Sequence, residues 1–162
     1  MVDLGPGPLR LGLIADTHGL LRPEAVALLR GADAILHAGD VGEPSVLEGL
    51  RALAPVWAVR GNVERTGEAG ALPGRVVLRG AGVTVGMVHR EADLPDGAGW
   101  DVAVVGHSHR PEVGRRGAML LVNPGAAGPR RFRLPVSVGW LLLRDGRAKA
   151  GVTELQVQAA RR

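Results

Sequence analysis

"LRLGLIADTHGLLRPEAVALLRGADAILHAGD", residues 9–40, decides the fold. "LRLGLIAD" (9–16) is a short apolar run that stops at polar residues, as a buried strand does. "RPEAVALLRG" (22–31) places Pro23 near a first helical position and Gly31 at its close, the asymmetry expected of a short helix. "ADAILHAGD" (32–40) reads as a strand, "EPSVLEGLRALA" (43–54) as a helix and "PVWAVRGN" (55–62) as a strand. This βαβαβ rhythm implies a parallel sheet with helical crossovers.

The texture changes after residue 72. "GRVVLRGAGVTVGMVHR" (74–90) reads as a hairpin turning at Gly80 to Gly82. "DVAVVGHSHRP", "AMLLVNPG", "PVSVGWLLLRDG" and "AKAGVTELQVQ" follow, with turn residues between them and no strong helix. The second half is therefore mostly strands, and one α/β domain over residues 1–162 with more than one sheet layer is the expected assembly. The chain shows no linker, low-complexity tract or repeat.

Composition narrows the function. The 162 residues are 46% apolar, enough for a core of their own, but only 2% aromatic. With three Trp, one Phe and no Tyr, the chain is expected to offer no aromatic stacking platform for nucleic-acid bases, so a nucleic-acid partner is not expected. The formal charge of +4 comes almost wholly from arginines that are scattered along the chain, Lys149 being the one lysine. No cysteine means no disulfide and no thiol chemistry. The start "MVDLGPGPLR" lacks the pattern of a secretory leader, and no apolar run approaches the roughly 18 residues of a membrane span. A cytoplasmic protein without a membrane partner is the expectation.

The polar residues fall at the strand ends: "IADTH", "HAGD" and "VRGN" in the first half, "MVHR", "VVGHSH" and "LVNPG" in the second. Ligand sites of open parallel sheets lie outside the carboxyl ends of the strands, so these termini are expected to converge on one crevice. Asp16 and His18 are two residues apart, as are His107 and His109, and in extended chain such pairs face one way. Thr17 and Ser108 then face elsewhere. Mixed imidazole, carboxylate and amide donors suit Mn, Fe, Co, Ni or Zn better than Ca or Mg. Seven candidate ligands exceed the four of a tetrahedral zinc and suit two ions, with a shared carboxylate such as Asp40 between them.

"DTHG", "GD", "GN", "VH" and "GHSH", in this order and followed by "NPG", resemble the signature of the calcineurin-like metallophosphoesterases, and specifically their compact phosphodiesterase branch. The resemblance runs from about residue 10 to about residue 143. It implies a four-layer α/β/β/α sandwich with a dinuclear centre between the sheets. It also implies a metal set of Asp16, His18, Asp40 and His109 for one ion and Asp40, Asn62, His89 and His107 for the other. The implied cofactors are two divalent ions, Mn first, with Ni, Fe, Co or Zn as alternatives. The implied activity is hydrolysis of a small phosphodiester by a hydroxide bridging the ions. The rival is a non-catalytic, metal-binding interaction scaffold, since the fold includes a retromer subunit that has lost part of the ligand set; retention of all seven positions favours the enzyme. Relatives are sometimes dimers, so a homodimer is a further expectation.

Two positions depart from the family pattern. Val63 stands where the larger family usually has the histidine thought to protonate the leaving group, so a general acid is unassigned. Arg90 stands where glycine usually follows the histidine of "VH", and is expected either to clamp a phosphate or to narrow the entrance. Arg90 and Arg130 are the candidates for a direct part in catalysis; Arg130 and Arg131 otherwise read as surface residues. His37, inside the strand before "AGD", reads as structural. Taken singly, Asp16 and Asp40 read equally as helix N-caps and Asn62 as a turn residue. Glu24, Glu43 and Glu48 read as solvated helix faces.

Overall fold

A computed structural model describes residues 1–62 and 67–157. Val63 lies outside the described residues, so the position of the missing general acid receives no structural account. The strands form two sheets. The first runs β11 (Arg147–Glu154), β10 (Ser137–Arg144), β2 (Leu9–Ile14), β3 (Ala34–His37), β4 (Val56–Ala58). The second runs β1 (Val2–Gly5), β5 (Arg75–Gly80), β6 (Val83–Val88), β7 (Val102–Val104), β9 (Met119–Asn123), β8 (Glu112–Arg116). Within the first sheet β2, β3 and β4 are parallel, and within the second β6, β7 and β9 are parallel. Antiparallel strands border both sets. The two sheets are therefore mixed, as a fold with helical crossovers in one half and hairpins in the other requires.

Side-chain alternation assembles the layers. Leu11 and Leu13 of β2 and Leu36 of β3 face inward, meeting Leu78, Val85, Met87, Val104 and Val122 of the second sheet in one core. Ile14 and Ile35 point the other way, against Ala25 and Leu29 of α1 (Pro23–Leu29) and Val46, Leu47 and Leu50 of α2 (Pro44–Arg51). The outer face of the second sheet is covered more thinly. A 3-10 turn at Glu91–Asp93 and the loop after it bring Trp100 and Leu94 onto Val88, Ala103 and Leu121. The fourth layer is thus one aromatic ring and a loop rather than a helix pair among the described residues.

The strand at 2–5 is the main element that sequence reading passed over. It pairs in parallel with β5 at the sheet edge, where four residues between turns carry too little pattern to register. β8 was likewise passed over: its residues are exposed or half-buried, so no apolar alternation marks it. A short helix, α3 (Gly67–Gly70), follows β4.

Trp100 lies flat on Gly86 of β6, so closely that a Cβ at Gly86 would collide with the indole ring. Only glycine admits the ring at that point. Gly86→Ala is expected to destabilise the protein by about 1–3 kcal/mol through overpacking. A urea titration checks this: the midpoint falls while the slope is unchanged.

Candidate metal centre

β2, β3, β4, β6 and β7 all deliver their carboxyl ends to one edge of the sandwich, and each is followed by a candidate ligand. β2 leads to Asp16 and His18, β3 to Asp40, β4 to Asn62, β6 to His89, and β7 to His107 and His109. Backbone pairing outlasts the regular strands: Asp16 N–H donates to Gly39 C=O (2.9 Å), His18 N–H to Asp40 C=O (2.9 Å) and Gly106 N–H to His89 C=O (2.8 Å). The ligand-bearing loops are thus laced to one another before any side chain is considered.

The expected mechanism for aiming the paired residues does not operate. Asp16 (φ 53°) and His18 (φ 45°) are not extended, nor are His107 (φ 72°) and His109 (φ 62°). All four occupy the left-handed region, as does Asp40 (φ 57°). Strands β2 and β7 end before these residues, so strand alternation has no purchase on them. Sharp turns at each strand end aim them instead. Positive φ is uncommon outside glycine, aspartate and histidine entering it more readily than most residues, and such positions gather at functional sites.

Two groups of side chains result. Asp16, His18 and His109 form one, and Asp40, His89 and His107 the other; within each, one ligand atom per residue lies within 4.8 Å of the rest. Asp16 is fully buried, and Asp40, His89 and His109 nearly so. Asp40 Oδ2 lies 3.3 Å from His89 Nε2 in its own group and 3.7 Å from His18 Nε2 in the other, which puts this carboxylate between the two. Asn62 Nδ2 lies 3.1 Å from His107 Nδ1, so the amide joins the second group. Gly61 closes against Asp40, where any Cβ would strike the carboxylate.

Hydrogen bonds set which atoms face the centre. His107 N–H donates to Asp16 Oδ2 (3.0 Å), leaving Oδ1 buried without a hydrogen-bond partner and 3.6 Å from His109 Nε2. His89 Nδ1 donates to the Ala38 carbonyl (2.7 Å), so the lone pair belongs to Nε2, which is also buried and lacks a hydrogen bond. Fixing the outer ring nitrogen on a carbonyl is how metal-binding imidazoles are oriented. Donor atoms about 2.1 Å from a common ion stand about 3–3.5 Å apart, and the separations here are 3.3 Å (His89 to Asp40), 3.6 Å (His109 to Asp16) and 3.7 Å (His18 to Asp40). The residues therefore fit divalent ions, and the orphaned atoms Asp16 Oδ1 and His89 Nε2 are what an ion would satisfy.

Electrostatics agree with that fit. Burial raises the Asp16 carboxyl to about 7, His89 and the His107 amide acting against it and Asp40 with it. Burial holds His109 down at about 4, with the charge of Arg131 adding to the effect. For His89 burial works against the charge, but Asp40 and the Ala38 carbonyl outweigh it and raise the pKa.

His37 is fully buried and uses both ring nitrogens away from the centre. Gly39 N–H donates to Nδ1 (3.1 Å), so Nε2 carries the proton and donates to Thr17 Oγ1 (3.0 Å), whose hydroxyl donates to Val41 C=O (2.8 Å). Burial pushes its pKa down to about 3, as a neutral structural histidine requires. Asp16 and Asp40 are not helix caps, since Arg22 and Glu43 occupy the N-cap positions of α1 and α2. Glu24, Glu43 and Glu48 are exposed. Arg90 is engaged by Asp93 through two hydrogen bonds of 3.0 and 3.1 Å, at the side of a cavity of about 250 Å³ that it shares with His107. Arg130 is exposed on the loop that leads into β10.

Asn123, the last residue of β9, belongs to the strand end "LVNPG" but not to the expected ligand set. It is buried; its Nδ2 donates to Gly106 C=O (3.2 Å) and Ser108 Oγ (3.1 Å) while Oδ1 accepts from Gly125 N–H (2.9 Å). It thereby holds the loop carrying His107 and His109. Its place in "NPG" directly after "GHSH" was the available signal.

Comparison with known proteins matches this geometry to a family. Residues 9–146 match the calcineurin-like phosphoesterase superfamily domain. A probable metallophosphoesterase of Methanothermobacter thermautotrophicus is 36% identical over 132 residues, covering 72% of this chain and 76% of that protein. A solved archaeal phosphodiesterase superposes with a TM-score of 0.73 at 19% identity, over 90% of this chain and all (100%) of the other. Vps29 of Chaetomium thermophilum does so at 0.72 and 19% identity, over 91% and 97%. Among the described residues no helix is long and apolar enough to cross a membrane. The chain belongs to the calcineurin-like phosphoesterase superfamily.

Proposed function

We propose that the chain is a metal-dependent phosphodiesterase that holds two divalent ions. Asp16, His18 and His109 would take one, Asn62, His89 and His107 the other, with Asp40 shared. The observation that carries this reading is Asp40 Oδ2, within 3.7 Å of His18 and 3.3 Å of His89 at the meeting point of the two groups. When bound, the ions supply an activated water as nucleophile and neutralise charge on the phosphoryl oxygens. The protein's own part is placement: the His107 amide holds Asp16, the Ala38 carbonyl holds His89, and Asn123 holds the His107–His109 loop. Arg90 stands beside His107 to meet an anionic substrate, although Asp93 occupies two of its donors. Mn is the favoured metal, with Ni, Fe, Co or Zn as alternatives for a mixed N/O donor set. A small phosphodiester in the cytoplasm is the proposed setting, with a homodimer as the form to test.

Valine at position 63 bears on substrate choice. A positioned general acid contributes about 10²- to 10⁴-fold, and Val63 cannot move a proton. The proposed enzyme therefore depends on leaving groups that depart unassisted.

Metal-stripped protein given Mn²⁺ is expected to cleave bis-p-nitrophenyl phosphate faster than p-nitrophenyl phosphate, and to lose at least about 10²-fold with an alkyl leaving group. Stoichiometric metal binding with no hydrolysis of any ester is the result that would favour the scaffold reading. Asp40→Ala is expected to lose metal and activity together. His37→Ala is expected to keep its metal while losing about 2–4 kcal/mol of stability, because it leaves a cavity and an unpaired Gly39 amide; metal analysis beside urea unfolding separates the two.

The pH dependence follows from Asp16. Its pKa rises from 3.8 unfolded to about 7 folded, so the metal-free fold is favoured at low pH and loses that contribution as pH rises through 7. Binding a cation expels the proton and reverses the penalty. The thermal shift produced by saturating Mn²⁺ is therefore expected to grow between about pH 5 and about pH 7.5. An equal shift at both ends contradicts the assignment of Asp16.

A further inference from the structure

Phe132 is the only phenylalanine in the chain and stands 92% exposed, whereas the three tryptophans are buried or half-buried. It also adopts φ 54°, a left-handed conformation that is costly for a bulky side chain. Neither packing nor local preference explains a ring held in water on strained backbone. Its loop, "PRRFRLP" (129–135), contains three arginines and no acid.

The loop springs from the metal centre. Ala127 N–H donates to Ala15 C=O (3.0 Å), and Gly128 lies so close that a Cβ there would strike the Thr17 carbonyl. Arg22 Nε donates to the Gly128 carbonyl (3.2 Å), and Leu134 N–H closes the turn on Arg131 C=O (3.1 Å). Phe132, Arg133 and Leu134 line an open depression of about 670 Å³ whose fourth wall is Arg110, the residue after His109.

We propose that Phe132 is the specificity-determining residue of the site, stacking on the nucleobase of a small nucleotide-type phosphodiester whose phosphate lies at the metal centre. The inference rests on the phosphodiesterase reading and names its substrate class. An aromatic ring stacks on any base because every base has a π-face, and arginines beside it suit an anionic ligand. One exposed ring serves one base rather than a run of them. The cationic frame is wrong for an apolar protein partner.

The test compares two esters with the same leaving group, thymidine 5′-(p-nitrophenyl phosphate) and methyl p-nitrophenyl phosphate, on Mn²⁺-loaded protein. The ratio of their kcat/KM values is expected to favour the nucleoside ester and to fall about 5- to 100-fold in Phe132→Ala, mostly through KM, with Phe132→Trp retaining it. Calorimetric titration with adenosine 5′-monophosphate is expected to show the same loss and the same rescue. If the ratio and the affinity are equal in wild type and Phe132→Ala, the inference falls while the phosphodiesterase reading stands. If the wild type cleaves neither ester, that reading fails, and the calorimetry alone decides: affinity lost with Phe132 upholds a nucleotide-stacking site, and unchanged affinity overturns it. A shift in oligomeric state of Phe132→Ala with the ratio unchanged assigns the ring to a contact between chains and likewise overturns the inference.

Discussion

Two carboxylates, Asp16 and Asp40, are buried at the edge where the two sheets meet, and the rest of the site follows from what that burial costs. Removing an ionised carboxylate from water costs several kcal/mol unless opposite charge compensates it. Asp16 receives one backbone hydrogen bond and no cationic side chain among the described residues; its remaining oxygen points at His109 without bonding it. The nearby imidazoles answer that charge unevenly: burial opposes His89 but Asp40 and the Ala38 carbonyl outweigh it, whereas burial holds His109 down at about 4. Divalent ions would resolve the conflict for the carboxylates and imidazoles together. An apolar replacement of the same volume would relieve the cost without them, so packing alone gives no reason for two buried carboxylates here, whereas a cation site does.

The scaffold is arranged to tolerate this arrangement. Parallel strands from two different sheets present their carboxyl ends to one seam, and hydrogen bonds between the loops continue the strand pairing past the last regular residue. That rigidity lets five of the seven candidate ligands sit in left-handed backbone conformations. Supporting residues complete the frame: His37 and Thr17 brace the first loop from the helix side, and Asn123 braces the last from the strand side.

Much of this was legible in the sequence. Apolar runs ended by polar residues marked most strands, the Pro23 to Gly31 interval marked a helix, and the terminal position of each polar motif located the crevice. What escaped has physical reasons. β1 and β8 are edge strands: β1 has only Val2 and Leu4 to set against the core, too short a pattern to register, and β8 is exposed or half-buried throughout. The aim of Asp16, His18, His107 and His109 was ascribed to strand alternation, but left-handed turns govern it, and a left-handed aspartate or histidine carries no mark in a sequence. Arg90 looked free to meet phosphate because its partner, Asp93, lies in a turn whose geometry had no signal. Phe132 went unremarked because a lone aromatic in a loop gains meaning only from its exposure and its neighbours.

The central claim is that Asp40 joins two metal ions into one centre, and electron paramagnetic resonance of the protein titrated with Mn²⁺ tests it most directly. Two ions sharing a ligand at about 3.5–4 Å are spin-coupled. The account predicts a signal at the first equivalent that is replaced by a coupled spectrum as the second binds, with uptake ending at two per chain. Uptake ending at one, or two equivalents giving only the sum of isolated Mn²⁺ spectra, would contradict it.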